Sequence, residues 1–288
     1  MKELEFFKYE GTGNDFILID EFTQTKFKKI EDRRNFAKKY CPRSFGIGSD
    51  GVLYLLKNSQ NIPLMHMYNP DGSGPDMCGN GIRCVALHCV RNKYVKGNEF
   101  LIDTNVGVKK IRYENPNLFE VNMGKVYFEP EKLPVLSSEP FIEKEIKVDS
   151  FTFVASAASI GNPHLLIQVK DEKELQAIDK ILETIGPKLE NHKLFPNRIN
   201  VHFAFVINEN EVRLLTWERG AGRTKACGTG ATTSIAILNT LGKVKDNCKV
   251  YVPGGTLYIS HDKNNDYWYM KGEANYVFRG YINVSNKK

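Results

Sequence analysis

The sequence lacks a long apolar run. None of its hydrophobic stretches approaches the ~20 residues that a membrane-spanning helix needs, so no membrane partner is expected. A secretory signal is also missing, because the charged and alternating start Met1–Phe7 is followed by no apolar region or small-residue cleavage site. With 41% hydrophobic and 26% charged residues, the composition is that of an ordinary globular protein. We expect a cytoplasmic location.

Charge of one sign is nowhere concentrated. The net charge of +6 comes from scattered lysines and arginines. Arg33-Arg34 and Lys38-Lys39 fall on one predicted helix, where a solvated face is the simpler interpretation. No basic stripe interleaved with aromatic residues is present, so nucleic acid is not an expected partner.

A disulfide framework and a metal motif are not expected. The six cysteines are interpreted as thiols, because the cytoplasm keeps thiols reduced. Cys84, His88 and Cys89 share one predicted helix, but further ligands at Cys-x-x-Cys spacing are missing, so core packing is favoured over a metal site. Cys41 and Cys248 are interpreted as small core residues.

The two remaining cysteines belong to a repeated motif. Cys78-Gly79-Asn80-Gly81 and Cys227-Gly228-Thr229-Gly230 lie 227 − 78 = 149 positions apart. At offsets of 148 and 149, Gly13-Asn14 recurs as Gly161-Asn162, and the strand-like run 65–70 matches 214–219. Self-similarity at one long offset indicates a duplicated domain.

The repeat predicts two domains of one fold that face each other. We predict an N-terminal domain over 1–126, joined by a C-terminal return of 273–288, and a C-terminal domain over 127–272. Pro130–Pro140 is the predicted connection. Many short strand patterns and few helix patterns, at 30–40, from Ile82, at 172–185 and at 228–241, indicate an α+β class. Each domain is predicted to be a mixed, mostly antiparallel sheet wrapped around a central helix, with the active site in the interdomain cleft.

Both cysteines are predicted at the start of a helix. There the unpaired N–H groups and the positive end of the helix dipole favour an anion, and the glycines are expected to let a ligand approach closely. Two such ends would hold one carboxylate with a thiol on each side of the α-carbon. This arrangement suits removal of an α-proton by a thiolate on one face and protonation by a thiol on the other.

Several motifs together resemble the diaminopimelate epimerase family, whose members use two thiols without pyridoxal phosphate. The matching segments are 9–16, 69–73, 78–84, 161–164, 198–201, 217–222 and 226–230. The resemblance implies two similar α/β domains around central helices, no cofactor, a diaminopimelate substrate and a homodimer.

The resemblance also implies site residues. Cys78 and Cys227 would exchange the proton, while Gly79-Asn80 and Gly228-Thr229 would hold the reacting α-carboxylate. Other residues implied near the amine and the thiols are Asn14, Glu218 and His164, the last two as catalytic residues. Those implied at the far end of the substrate are Asn69, Asn162, Asn200 and Arg219.

Some positions depart from the family pattern. Arg223 and Lys225 stand where an acidic and an uncharged residue are frequent, and Gly51 stands where some members have glutamine. The loop Gly74-Pro75-Asp76 is also unusual. These departures bear on substrate preference.

Two alternatives stay open at this point. A cofactor-independent racemase of another amino acid, such as histidine, could use some of the same polar groups. A redox or metal-binding module, or a plain amino-acid binding protein, would use the thiols without proton transfer at carbon.

Overall fold

The structure is a computed structural model, and it describes residues 2–74 and 78–284. The contacts divide the chain into two compact units. The first unit extends to Val121 and resumes at Gly272, and the second is Asn122–Lys271. The predicted domain limits at 126/127 and 272/273 stay predictions, because a division by contacts describes packing and not independent folding.

The elements follow one another in chain order. The elements that begin before Asn122 are β1 Lys2–Gly11, β2 Asn14–Asp20, α1 Ile30–Tyr40, β3 Gly51–Lys57, β4 Pro63–Tyr68, α2 Gly79–Arg91, β5 Glu99–Ile102, β6 Lys109–Asn115 and β7 Leu118–Gly124. The next are β8 Lys144–Val148, β9 Phe151–Ser159, β10 Pro163–Val169, α3 Glu172–Glu190, β11 Asn200–Asn208, β12 Glu211–Glu218 and β13 Gly222–Thr224. The last are α4 Gly228–Thr240, β14 Asn247–Val252, β15 Gly255–Asp262, β16 Tyr267–Glu273 and β17 Asn275–Val284.

The first unit contains a five-stranded sheet in the order β17-β1-β2-β3-β4. β2 and β3 run parallel, and the other pairs are antiparallel. The last strand, β17, pairs along β1 from Lys2 opposite Val284 to Glu10 opposite Asn275. β5, β6 and β7 form an antiparallel meander.

The strands of the second unit follow the order β16-β15-β14-β12-β11-β10-β9-β8, and β13 pairs with β12. Two pairs, β10 with β11 and β12 with β14, are parallel, and the rest are antiparallel. The predicted α+β class with mixed, mostly antiparallel sheets is therefore confirmed.

Each unit has one helix that is buried on nearly all sides. In α2 every residue from Gly79 to Cys89 is buried, and in α4 every residue from Gly228 to Leu238. A helix without a solvated face belongs inside a fold. The first packs against β1–β4 and β17, and the second against β9–β11 and β15. These are the predicted central helices, and each begins directly after a motif cysteine. None of the described helices is long and apolar enough to cross a membrane.

Three sequence expectations differ from the structure. The helix predicted to end before Gly186-Pro187 continues as α3 to Glu190, because Gly186 lets the ring of Trp217 lie against the helix, where a Cβ would be 2.5 Å from the ring. The short strands β8 and β13 were not predicted. The Pro-rich stretch predicted as the interdomain connection lies in the second unit, and its Leu133 and Val135 belong to that unit's core.

Candidate active site

Cys78 caps the central helix of the first unit. Its backbone is extended, with φ −133° and ψ 107°, and its Sγ accepts a hydrogen bond from the N–H of Gly81 at 3.3 Å. The sulfur therefore takes the place of an N-cap oxygen. The N–H groups of the first helical turn and the helix dipole give its surroundings a positive potential.

Two asparagines predicted for the site lie beside Cys78. Asn14 Oδ1 accepts a hydrogen bond from Asn80 Nδ2 at 3.4 Å and lies 3.9 Å from Cys78 Sγ. Asn14 Nδ2 donates to Asp50 at 2.7 Å, and this hydrogen bond fixes the orientation of the Asn14 amide. The structure thus brings Asn14, Cys78 and Asn80 together in the first unit.

Arg83 supports this group and was not among the predicted site residues. Its fully buried guanidinium donates to Asn80 Oδ1 at 3.0 Å, to Thr12 Oγ1 at 2.8 Å and to the carbonyl of Gly79 at 3.1 Å. Burial lowers the pKa of Arg83, and a negative charge on Cys78 acts in the opposite direction. The spacing of Asn80 and Arg83, three residues apart on one helix, was the signal that could have found it.

Asn69 lies in a turn directly after β4. Its Nδ2 donates to Ser73 Oγ at 3.0 Å, and its backbone N–H donates to the Ser73 carbonyl at 2.8 Å. The side chain therefore stabilises the turn, and the predicted contact with the far end of the substrate stays a prediction.

Cys227 occupies the corresponding position before α4 in the second unit. Its backbone is extended, with φ −125° and ψ 110°. Its Sγ lies 3.5 Å from Thr229 Oγ1, and Asn162 Nδ2 donates to the same hydroxyl at 3.4 Å. Cys227, Thr229 and Asn162 thus form a second group of predicted site residues.

The surroundings of Cys227 favour its neutral thiol. Burial raises the pKa of Cys227 well above its usual value, and the carboxylate of Glu218 raises it further. Hydrogen bonds from Thr229 and from the backbone of Gly230 act in the opposite direction. Removing a thiol proton in an apolar site beside a carboxylate is unfavourable, because both effects penalise the thiolate.

Asn200 holds the segment that carries Arg219. Its Nδ2 donates to the Pro163 carbonyl at 2.8 Å, and its Oδ1 accepts from the backbone N–H of Arg219 at 2.9 Å. Asn200 is 4% exposed, so its amide is used within the protein. Asn200 therefore positions Arg219, and its predicted direct contact with the substrate stays a prediction.

Glu190, at the end of α3, holds the same segment and was missed in the sequence. It accepts hydrogen bonds from Trp217 Nε1 at 2.8 Å and from the N–H of Gly220 at 2.9 Å, and it pairs with Arg198 at 3.0 Å. The turn carrying Glu218 and Arg219 is therefore attached to α3 on both sides.

His164 is hydrogen-bonded on both sides of its ring within the second unit. Its Nε2 lies 3.0 Å from Asn162 Oδ1 and its Nδ1 lies 2.9 Å from Nε2 of His202, so both ring nitrogens are occupied. Burial is the main cause that lowers the pKa of His164 well below its usual value. The predicted catalytic role of His164 stays a prediction, and within the second unit its ring is linked to Thr229 through Asn162.

The second glycine of each motif serves packing. A Cβ at Gly81 would lie 2.9 Å from a methyl group of Leu53, and one at Gly230 would lie 2.1 Å from the ring of His202. We expected these glycines to make room for a ligand. In the structure they make room for neighbouring side chains of the core.

The positions that depart from the family pattern have local explanations. Arg223 forms an ion pair with Asp179 at 2.6 Å, and Lys225 is exposed. A Cβ at Gly51 would lie 2.9 Å from the methyl group of Met67 and 3.0 Å from the carbonyl oxygen of Tyr68. Of the unusual loop, Pro75 and Asp76 lie outside the described residues.

The other cysteines are buried thiols. Cys41, Cys84, Cys89 and Cys248 are all at most 4% exposed. Both ring nitrogens of His88 are occupied, by Tyr9 at 2.9 Å and Asp20 at 3.1 Å. Across residues 2–74 and 78–284, no three His, Cys, Asp or Glu side chains gather in a way that could hold a metal ion.

Comparison with known families gives a match in two segments. A family profile described as diaminopimelate epimerase matches residues 6–129 and 156–277. A protein of Desulfitobacterium hafniense named diaminopimelate epimerase is 38% identical over 286 residues, which cover 97% of this chain and 98% of the relative. One named diaminopimelate epimerase, chloroplastic, from Oryza sativa subsp. japonica is 36% identical, covering 97% of this chain and 80% of the relative.

Solved structures share the fold at low sequence identity. A hydroxyproline epimerase from Agrobacterium vitis superposes with a TM-score of 0.68 at 14% identity, covering 99% of this chain and 94% of the other. A probable proline racemase from Agrobacterium radiobacter gives 0.71 at 12% identity, with the same coverage. These matches confirm a two-domain epimerase fold.

Proposed function

The chain belongs to the diaminopimelate epimerase family, and from this premise we propose that it interconverts LL- and meso-2,6-diaminopimelate in lysine biosynthesis. It is an isomerase that moves one proton at an α-carbon. The observation that supports this proposal most is the repeated cap: Cys78 and Cys227 each precede the buried central helix of their unit. The reaction requires one substrate to reach both thiols.

The starts of α2 and α4 bind the reacting carboxylate. Backbone N–H groups of Gly79 and Asn80 in one motif, and of Gly228 and Thr229 in the other, lie in the first helical turn, where N–H groups point out of the end of the helix. Such groups bind carboxylates well. They also stabilise the enediolate-like charge that develops as the α-proton leaves, and stabilisation of this kind accelerates the reaction.

The two thiols begin in opposite protonation states. Cys227 starts as the thiol, because burial and Glu218 raise its pKa. Cys78 starts as the thiolate, supported by the Gly81 N–H and by the charge of Arg83. Cys78 takes the α-proton to become a thiol, and Cys227 gives its proton to the opposite face to become a thiolate. After the product leaves, Cys78 gives its proton to solvent and Cys227 takes one up from solvent, which restores the starting states for the next turnover. No cofactor takes part.

The far end of the substrate is held by Asn69, Asn162 and Arg219, with Asn200 positioning the last. Arg219 has a half-buried side chain whose Nη1 donates to the Asn197 carbonyl at 3.1 Å. Its planar fork of donors suits a carboxylate. Diaminopimelate carries a second carboxylate and amine at its far end, whereas proline does not.

The alternatives are not favoured. The curated relatives reported above cover nearly all of this chain and are named diaminopimelate epimerases. A histidine racemase would leave Arg219 without a second carboxylate. A redox module would not need each thiol placed on a helical anion site.

Two accompanying predictions concern location and assembly. The reaction needs both thiols reduced, which agrees with a cytoplasmic location. The predicted homodimer is supported by exposed apolar side chains on β17, where Val277 is 51% and Tyr281 55% exposed, since such surfaces are typical of interfaces.

The direct test follows conversion of LL-diaminopimelate to the meso isomer by chiral chromatography. We expect Cys78→Ala and Cys227→Ala each to lower kcat by more than about 1000-fold, because each removes an obligatory proton carrier. Cys248→Ala, at a buried thiol outside the motifs, is the matched control and should retain kcat. Conversion of histidine but not of diaminopimelate by the reduced wild-type enzyme would overturn the proposal.

A further inference from the structure

We propose that His202 and Thr216 are positioning residues that set the tautomer of His164 and so orient Asn162 and Thr229 toward Cys227. This inference rests on the proposed function. The residues concerned form a continuous polar chain, named here the histidine chain, in the order Thr216, His202, His164, Asn162, Thr229 and Cys227.

Strand register brings the histidine chain together. Parallel pairing of β10 with β11 sets His164 opposite Asn200, so that His202, two residues on, faces the same side of the sheet. Antiparallel pairing of β11 with β12 sets His202 directly opposite Thr216. The ring atoms lie at hydrogen-bond distance: His202 Nε2 is 2.9 Å from His164 Nδ1, and His202 Nδ1 is 3.0 Å from Thr216 Oγ1.

The direction of donation follows from the Asn162 amide. Its Nδ2 donates to Thr229, so its Oδ1 is the atom that faces His164 Nε2. A carbonyl oxygen only accepts, so His164 carries its proton on Nε2 and leaves Nδ1 as an acceptor. His202 must then donate from Nε2, and its own Nδ1 accepts from the hydroxyl of Thr216.

The rings of His164 and His202 are both neutral, as the direction of these hydrogen bonds requires. His164 and His202 are each 0% exposed. Burial lowers the pKa of His202 to about 3 and that of His164 well below its usual value. A neutral ring has one donor and one acceptor, so fixing one tautomer fixes the next.

The consequence at the thiol is an ordered hydroxyl. Because Thr229 Oγ1 accepts from Asn162, its own proton is free to point at Cys227 Sγ, 3.5 Å away. That hydrogen bond stabilises the thiolate that Cys227 becomes after it has given up its proton. With the opposite tautomer of His164, Asn162 would turn over and draw the hydroxyl proton of Thr229 to itself.

Packing holds the His202 ring in place. The backbone of Gly230 in α4 lies so close that a Cβ there would be 2.1 Å from its Cε1 and 2.5 Å from its Nε2. The ring therefore lies between the sheet and the first turn of the helix that carries Cys227. A group in this position can influence the thiol without touching substrate.

The test compares two substitutions of similar shape. His202→Gln keeps an N–H donor for His164, whereas His202→Met fills similar space without one. We expect His202→Met to lower kcat about 10- to 100-fold, as a misoriented catalytic group does, and to raise KM as well, because Asn162 also holds the substrate. His202→Gln should keep kcat within about threefold of wild type. Equal kcat for His202→Met and wild type would overturn the proposal.

Nitrogen NMR of the ring-labelled protein supplies a readout that needs no substrate. The His164 signals are identified by their loss in His164→Gln. We expect the proton on Nε2 in wild type and in His202→Gln, and a changed tautomer in His202→Met. A wild-type His164 protonated on Nδ1 would overturn the proposal even if the methionine variant failed to fold. Failure of the wild type to epimerise diaminopimelate would instead reject the proposed function and leave the tautomer result standing.

Discussion

The two motif cysteines have the same position in the repeat but different surroundings. Cys78 is half-buried and lies next to Asn14, with the charge of Arg83 behind it. Cys227 is 5% exposed and lies beside the carboxylate of Glu218. A reaction that starts from one thiolate and one thiol needs such a difference, which the symmetry of the two motifs conceals.

Glu218 is predicted to keep Cys227 protonated. Replacing Glu218 with glutamine removes the negative charge while keeping the shape, so the pKa of Cys227 should fall, although burial still holds it above its usual value. The measurement is the pH dependence of alkylation at Cys227, followed by mass spectrometry of its peptide. Cys248, whose burial raises its pKa to about 11, serves as the internal control and should not change. An unchanged or higher Cys227 pKa in Glu218→Gln would contradict this account.

His202 is predicted to make stability depend on acid. Its pKa in the folded protein is about 3, against about 6.5 in an unfolded chain. Between these values the unfolded state binds one more proton at this residue. The contribution of His202 to the free energy of unfolding is therefore complete above pH 6.5 and falls by about 1.4 kcal/mol for each pH unit below that. In His202→Gln and His202→Met, the free energy of unfolding measured with urea should decline less steeply between pH 6 and pH 4 than in wild type. A decline as steep as that of wild type would show that the ring is already charged in the fold.

Residue patterns revealed part of the site. The repeat identified both cysteines, and the motifs placed Asn14, Asn80 and Thr229 near them. His202 could not be recognised, because its contact with His164 is set by the register of β10 and β11, which are separated in sequence by α3. Arg83 lies within the matching segment 78–84, and its spacing of three residues from Asn80 on one helix could have identified it as a partner of Asn80.

At the scale of elements, the central helices were predictable and the edges of the fold were not. Apolar spacing and the preceding cysteines located α2 and α4, since a buried helix leaves a strong pattern. The three-residue strand β13 and the five-residue strand β8 are too short to give a clear alternation. The end of α3 was misjudged because Gly186-Pro187 is typical of a helix end, while packing against Trp217 extends the helix.

The contact between Gly186 and Trp217 leads to a prediction on stability. Gly186→Ala should improve helix propensity by up to about 1 kcal/mol, yet its Cβ would be 2.5 Å from the indole. We expect a net loss of about 1–3 kcal/mol, as overpacking usually causes, measured by urea unfolding. Glu183→Ala, at an exposed position of the same helix, should change stability by less than about 0.5 kcal/mol. A stabilised Gly186→Ala protein would show that the indole moves aside at no cost.

At the scale of the whole molecule, the chain builds two similar units around two similar helices. The repeat in the sequence predicted this duplication, and the family profile matches once in each half. The first unit is completed by β17, which returns from the end of the chain to pair with β1. We predicted a C-terminal return of 273–288 because this final run has no counterpart in the repeat.

The central claim is that two thiols act on opposite faces of one α-carbon. The measurement is proton NMR and mass spectrometry of LL-diaminopimelate converted in D₂O, sampled before one tenth has reacted. Cys227 then carries solvent deuterium, so each meso product should contain one deuterium at the inverted carbon, while the remaining LL substrate keeps its protium. Deuterium appearing equally in recovered substrate and product, or protium returned to the inverted carbon, would indicate a single base and contradict the account.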